Sequence, residues 1–84
     1  MTREEIAEIN PDALMCDGFD DAILGMAERI NLGPVVAYSF SKIIDILIER
    51  DGMTYEDAVE YYDYNIAGSW MGENTPIFIT TNND

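Results

Sequence analysis

Apolar residues recur with helical spacing most cleanly in the second half of the chain, where Tyr55, Ala58, Val59, Tyr62 and Ile66 fall at i, i+3, i+4, i+7 and i+11. Thr54 stands directly before this run and Asp57 follows it by three residues, the spacing of an N-terminal capping box, so a helix over about 54–67 is predicted. Upstream, Ile43, Ile44, Leu47 and Ile48 share one helical face. Ser39 or Ser41 can cap that segment, and Asp51-Gly52 can end it with glycine in the left-handed terminal position. The second helix, about 41–51, therefore joins the first through a very short turn and forms a helical hairpin.

The remaining apolar runs carry a different signature. Val35-Val36-Ala37-Tyr38 is β-branched and aromatic, and it follows the turn signal Asn31-Leu32-Gly33-Pro34. In the stretch before that turn, Gly25 interrupts Ile23, Leu24, Met26 and Ile30 and weakens a helix there. An antiparallel strand pair over 22–30 and 35–38 is predicted, with a helix over 22–30 as the alternative. Gly68 and Gly72 flank Trp70 in a turn, and a final short strand over 76–80 is assigned to a sheet edge because Pro76 lacks a donor. Thr2 and Glu5 have capping-box spacing for one or two helical turns, which Asn10-Pro11 halts, and 12–21 reads as a loop. Residues 1–10 and 81–84 are expected to be poorly ordered. The pattern predicts a single α+β domain in which a small antiparallel sheet packs against the helical hairpin.

Composition makes a folded chain credible and charge narrows its partners. With 84 residues and 48% hydrophobic content, the chain can build one modest core. Seventeen acidic residues face four basic ones, Arg3, Arg29, Lys42 and Arg50, for a formal net charge of −13 with no histidine. Self-repulsion on that scale opposes compaction. It also repels nucleic acid and anionic lipid while steering cationic surfaces toward the protein. Neither direct nucleic-acid binding nor membrane binding is expected. The single cysteine, Cys16, cannot form an internal disulfide, and the acidic start MTREEIAEIN lacks the basic and apolar regions of a signal peptide, so a cytoplasmic setting is expected.

Candidate chemistry is sparse. Without histidine the usual base for a serine or cysteine nucleophile is missing, and one cysteine cannot build a histidine–cysteine zinc site. No phosphate-binding glycine loop occurs, no catalytic residue is assigned and no cofactor is expected. Asp17, Asp20 and Asp21 around Gly18 form a weak candidate for a hard cation held through oxygen ligands, against the plainer reading of a solvated turn. Cys16 beside them reads as a small hydrophobe whose anionic neighbours raise its pKa.

The stronger candidate lies on the predicted 54–67 helix. Glu56, Glu60 and Asp63 fall at i, i+4 and i+7 with Asp57 beside them, and no basic residue follows Arg50. Carboxylates one turn apart are about 6 Å apart along the axis, a spacing comparable to neighbouring backbone phosphates. Such a stripe can imitate a nucleic-acid edge toward a basic protein groove. Any amphipathic helix of an acidic protein also presents a solvated acidic face, which is the bland alternative. Tyr61 and Tyr64 lie beside the stripe and suit an interface, either with another protein or with a second copy of the chain; the competing reading is that they cover the edge of the sheet or Trp70.

From about Asn10 to Ile79 the sequence resembles a group of short acidic proteins encoded in bacteriophage genomes. The resemblance rests on Asp17-Gly18-Phe19-Asp20-Asp21-Ala22-Ile23, Val35-Val36-Ala37-Tyr38, Arg50-Asp51-Gly52-Met53-Thr54, Glu56 to Tyr62, and Gly72-Glu73-Asn74-Thr75-Pro76-Ile77-Phe78. It implies a phage origin and a host-cell cytoplasmic setting, and it brings no catalytic residues with it. Ser39 and Ser41 stand where relatives would carry aspartate, a change that leaves the helix cap intact. The expected function is that of an acidic protein-binding module acting on a host protein with a basic, nucleic-acid-binding surface. A carboxylate-based metal- or ligand-binding protein and a homo-oligomeric accessory protein are the alternatives.

Overall fold

The β-branched and aromatic run around Tyr38 becomes the centre of the sheet. In the computed structural model, which describes residues 1–81, β1 (Ile23–Arg29) and β2 (Leu32–Ser39) pair antiparallel, with Met26 opposite Val36 and Ala27 opposite Val35. The strand reading of 22–30 is the one adopted, and Gly25 explains how. The register shifts between Ile23 and Gly25, and Gly25 takes a φ of 151°, a backbone conformation that side chains disfavour, so the glycine that would have weakened a helix permits a bulge. The hairpin turns at Ile30-Asn31, with Asn31 left-handed at φ 61°, so β2 already begins at Leu32 where a longer turn was expected.

The sheet order is β1-β2-β3, and β3 (Ile77–Ile79) is an edge strand as its proline suggested. The wholly antiparallel sheet expected from the sequence is corrected, because β3 runs parallel to β2 with Ala37 opposite Ile77 and Ser39 opposite Ile79. The cause lies in the segment between Gly68 and Pro76. A helical hairpin by itself returns the chain to the Ser39 end of β2, from which the next strand would run antiparallel. Here the chain first travels to the opposite end, where the Asn10 side-chain amide donates to both the Pro34 carbonyl (2.7 Å) and the Asn74 side-chain oxygen (3.2 Å). The Leu14 N–H also donates to the Asn74 carbonyl. Pairing with β3 starts only at Ala37, so Pro34 sits in the central strand without costing a ladder bond on that side.

The helices form as their caps dictate. In α2 (Phe40–Asp51) the Ser39 hydroxyl accepts from the Lys42 N–H, and Gly52, left-handed at φ 68°, donates back to the Ile48 and Leu47 carbonyls. For α3 (Tyr55–Tyr62) the Thr54 hydroxyl accepts from the Asp57 N–H, and the helix continues into a wider π-helical turn, Asp63–Ala67. Ile43, Ile44, Leu47, Ala58 and Tyr62 are buried in one cluster with Val36 and Tyr38, whereas Tyr55, assigned to the core stripe, is 60% exposed. Tyr55 is the first residue of α3, one turn before the helix has reached the core. Residues 1–10, expected to be poorly ordered, instead form α1 (Arg3–Ile9) with the full Thr2/Glu5 capping box, and Ile6 enters the core at 2% exposure. Of the expected frayed tail, 82–84 lie outside the described residues. The fold is α+β.

An aromatic chain links the layers. Tyr38 of β2 stacks on Phe78 of β3, Phe78 meets Tyr62 of α3 edge to face, and Tyr62 meets Phe40 of α2 the same way, with centroids 5.8, 5.5 and 4.9 Å apart. Each such contact contributes about 0.5–1.5 kcal/mol beyond the area it buries. Tyr38 is completely buried, and its hydroxyl accepts the Cys16 N–H at 2.8 Å. Replacing Tyr38 by Phe removes the side-chain partner of that half-buried amide. Tyr38→Phe is therefore expected to lower unfolding stability by about 1–3 kcal/mol, read as a shifted urea midpoint at unchanged slope. An unchanged midpoint would mean that the loop amide finds another partner.

Candidate functional site

The exposed side of α3 and of the π-helical turn that continues it carries the acidic and tyrosine residues that the sequence singled out for partner binding. Ala58 and Tyr62 anchor the opposite side in the core, which turns Glu56, Asp57, Glu60, Tyr61, Asp63 and Tyr64 to solvent. Glu56, Glu60, Asp63 and Tyr64 border one shallow depression, and Asp57, Glu60, Tyr61 and Tyr64 border the next, so acidic and aromatic side chains form one surface. Among the described residues the ion pairs are Arg3–Asp17, Arg3–Asp20 and Arg50–Asp51, none of which uses a carboxylate of this surface. The face carries negative charge without an ion-pair partner.

The π-helical turn shapes the end of that face. Its wider winding inserts about one extra residue into the helical phase. The Asn65 side chain donates to the Tyr61 carbonyl, and the Ser69 hydroxyl donates to the Asn65 carbonyl. Gly68 closes the turn against the Asp63 carbonyl so tightly that a Cβ at this position would lie 2.8 Å from the oxygen. The apolar spacing of the sequence does not reveal this turn, and only the glycine hints at a stop.

The cations serve the aspartate turn instead. Arg3 donates through Nε and Nη2 to Asp20 and through Nη2 to Asp17. Arg50 stacks over the Phe19 ring at 4.9 Å and donates to the Gly18 carbonyl and to Asp51. Two of the three aspartates considered as cation ligands thus already share a guanidinium, and Asp21 is exposed beside them. No group of three or more metal-ligating side chains is placed to hold an ion among the described residues.

Behind Tyr61 lies a feature that sequence reasoning missed. Leu14, Cys16, Tyr61, Ile66, Met71 and Phe78 line an apolar hollow of about 430 Å³ with Asp17 on its rim. Tyr61 and Asn65 belong both to this hollow and to the acidic surface, so the two are continuous. Trp70 (74% exposed) and Met71 (68% exposed) stand next to it. Tyr61, Ile66 and Phe78 of its lining come from predicted elements, but Leu14 and Met71 come from segments without periodicity, where only large apolar residues in turns could have signalled it. Burial pushes the Cys16 thiol above its ordinary pKa, with Asp17 adding to the effect and a hydrogen bond with Tyr38 opposing it. Burial also pushes Tyr38 up to about 12. Both stay protonated at neutral pH, and the thiol is poorly activated as a nucleophile.

Comparison with protein-family models, with curated proteins and with solved structures finds no match to this chain. Among the described residues no helix is long and apolar enough to cross a membrane.

Three carboxyls are held below their ordinary pKa values: Asp20 by the hydrogen bonds from Arg3, Asp51 by those from Arg50, and Glu5 by the N–H of Thr2. A carboxyl lowered in this way contributes stability that is present above its unfolded value, 3.8 for Asp20, and is lost as the pH falls through the lower folded value. Asp20→Asn should therefore be less stable than wild type by a small, constant margin from about pH 5 to 8, and the margin should close as the pH falls below 3.8. Urea midpoints measured across that range check the expectation; a margin that widens on acidification contradicts it.

Proposed function

We propose that the protein is an acidic protein-binding module of phage origin, which acts in the host cytoplasm by binding rather than by chemistry and modulates a host protein with a basic, nucleic-acid-binding surface. The observation that carries this reading is the unpaired acidic face of α3, where Glu56, Asp57, Glu60 and Asp63 are all exposed beside Tyr61 and Tyr64. The rest of the chain supports it. Three of the four basic residues make contacts elsewhere: Arg3 and Arg50 on the aspartate turn, and Arg29 on the Gly33 carbonyl of the β1–β2 hairpin.

Carboxylates about 6 Å apart along a helix offer a row of lysines or arginines the charge spacing of a phosphate backbone. A rigid helix presents that row without the ordering cost of a disordered acidic tail. Tyr61 and Tyr64 add contact area at the edge of the row, with hydroxyls that tolerate water. Long-range attraction between a chain of net charge −13 and a basic groove raises the association rate, and salt reduces it.

The test is affinity capture from nuclease-treated host lysate at low and high salt, with the triple variant Glu56→Gln, Glu60→Gln, Asp63→Asn alongside wild type. The expected result is one basic, nucleic-acid-handling protein held by wild type at low salt, weakened at high salt and lost from the variant. The variant should keep its fold with equal or slightly higher stability, since it removes mutually repelling charges. Capture that is the same for wild type and variant removes the acidic face from the mechanism.

A further inference from the structure

We propose that the hollow behind Tyr61 receives one large apolar side chain from a lysine- or arginine-rich segment of the bound protein, while the flanking cations of that segment lie on Asp57 and Glu60 of the adjoining acidic surface. This inference rests on the acidic-face reading and specifies what the partner must carry. The hollow is lined by Leu14, Cys16, Ile66, Met71 and Phe78, and its wall at Tyr61 and Asn65 is also the border of the acidic surface. A ligand that touches one therefore reaches the other. Hollows that accept an anchor and are rimmed by polar groups are where the affinity of protein interfaces concentrates. Met71 and Cys16 bring polarizable sulfur, and the unbranched Met71, largely exposed, can shape itself to the side chain that enters.

Charge selects the occupant. A second copy of the chain would bring two bodies of net charge −13 together with the same acidic rims at the contact. A neutral apolar ligand would fill the hollow and leave Asp57 and Glu60 unused. A basic segment with one aromatic or large aliphatic residue satisfies both halves of the surface.

Trp70, the only tryptophan in the chain, adjoins Met71 and reports occupancy through its fluorescence. Two lysine peptides of equal length and charge, one with a central phenylalanine and one with a central alanine, are titrated into the protein at low salt. The phenylalanine peptide is expected to bind about 10- to 100-fold more tightly, the ratio that burying its ring supplies. Leu14→Ser combined with Met71→Ser, both at exposed positions, is expected to bring that ratio near one. Equal affinities of the two peptides for wild type, with salt-sensitive binding retained, overturn the anchor and leave the acidic-face reading standing. If neither peptide binds at low salt, both readings fall. A doubling of the particle mass with protein concentration that the Leu14/Met71 variant abolishes would assign the hollow to a second copy and likewise overturn the proposal.

Discussion

Tyr38 is the point on which the rest of the molecule depends. Its backbone pairs with β1 on one side and β3 on the other, its ring starts the stack that runs through Phe78 and Tyr62 to Phe40, and its hydroxyl holds the Cys16 amide. A buried hydroxyl is favourable only when it is bonded, and a half-buried amide likewise. Here each satisfies the other, so the loop before β1 is fixed to the sheet by a bond that neither partner can lose cheaply. The neighbouring residues Val35, Val36 and Ala37 are also buried, and Val36 joins Tyr38 in the cluster that holds Ile6, Ile43, Leu47 and Tyr62.

The distribution of charge follows from that interior. With four basic residues for seventeen acidic ones, no arrangement could pair them all. The structure places Arg3 and Arg50 where a guanidinium makes several contacts at once, across a turn rich in aspartate and over the ring of Phe19. That choice ties α1 and the end of α2 to the same turn. The face of α3 is left with its carboxylates facing water, and the same economy that fastens the N-terminal half produces the surface available for recognition.

What could be read from the sequence was whatever depends on near neighbours. The caps at Thr2, Ser39 and Thr54, the glycine stop at Gly52 and the acidic stripe of α3 are all set within a few residues of themselves, and they lie where spacing placed them. The features that escaped are set by distant partners. The parallel direction of β3 follows from the bonds that Asn10 and Leu14 make to Asn74, and the order of α1 follows from the burial of Ile6. The hollow is a further example, since Leu14, Met71 and Phe78 have no common period and meet only because the Gly68–Pro76 segment crosses the molecule. Tyr55 was misplaced for a local reason, because a periodic stripe continues to the first residue of a helix even where the core does not.

The clasp at Asn10 joins residues 64 positions apart in the chain. During synthesis the β1–β2 hairpin and α2 can assemble while β3 is still unmade, so the β3 side of the central strand waits with open backbone groups until Ile77–Ile79 has emerged. An open strand edge is a template for pairing with neighbouring chains. The heavy negative charge keeps such unfinished chains apart during that interval, and the acidity therefore also protects the newborn protein from aggregating with its own copies.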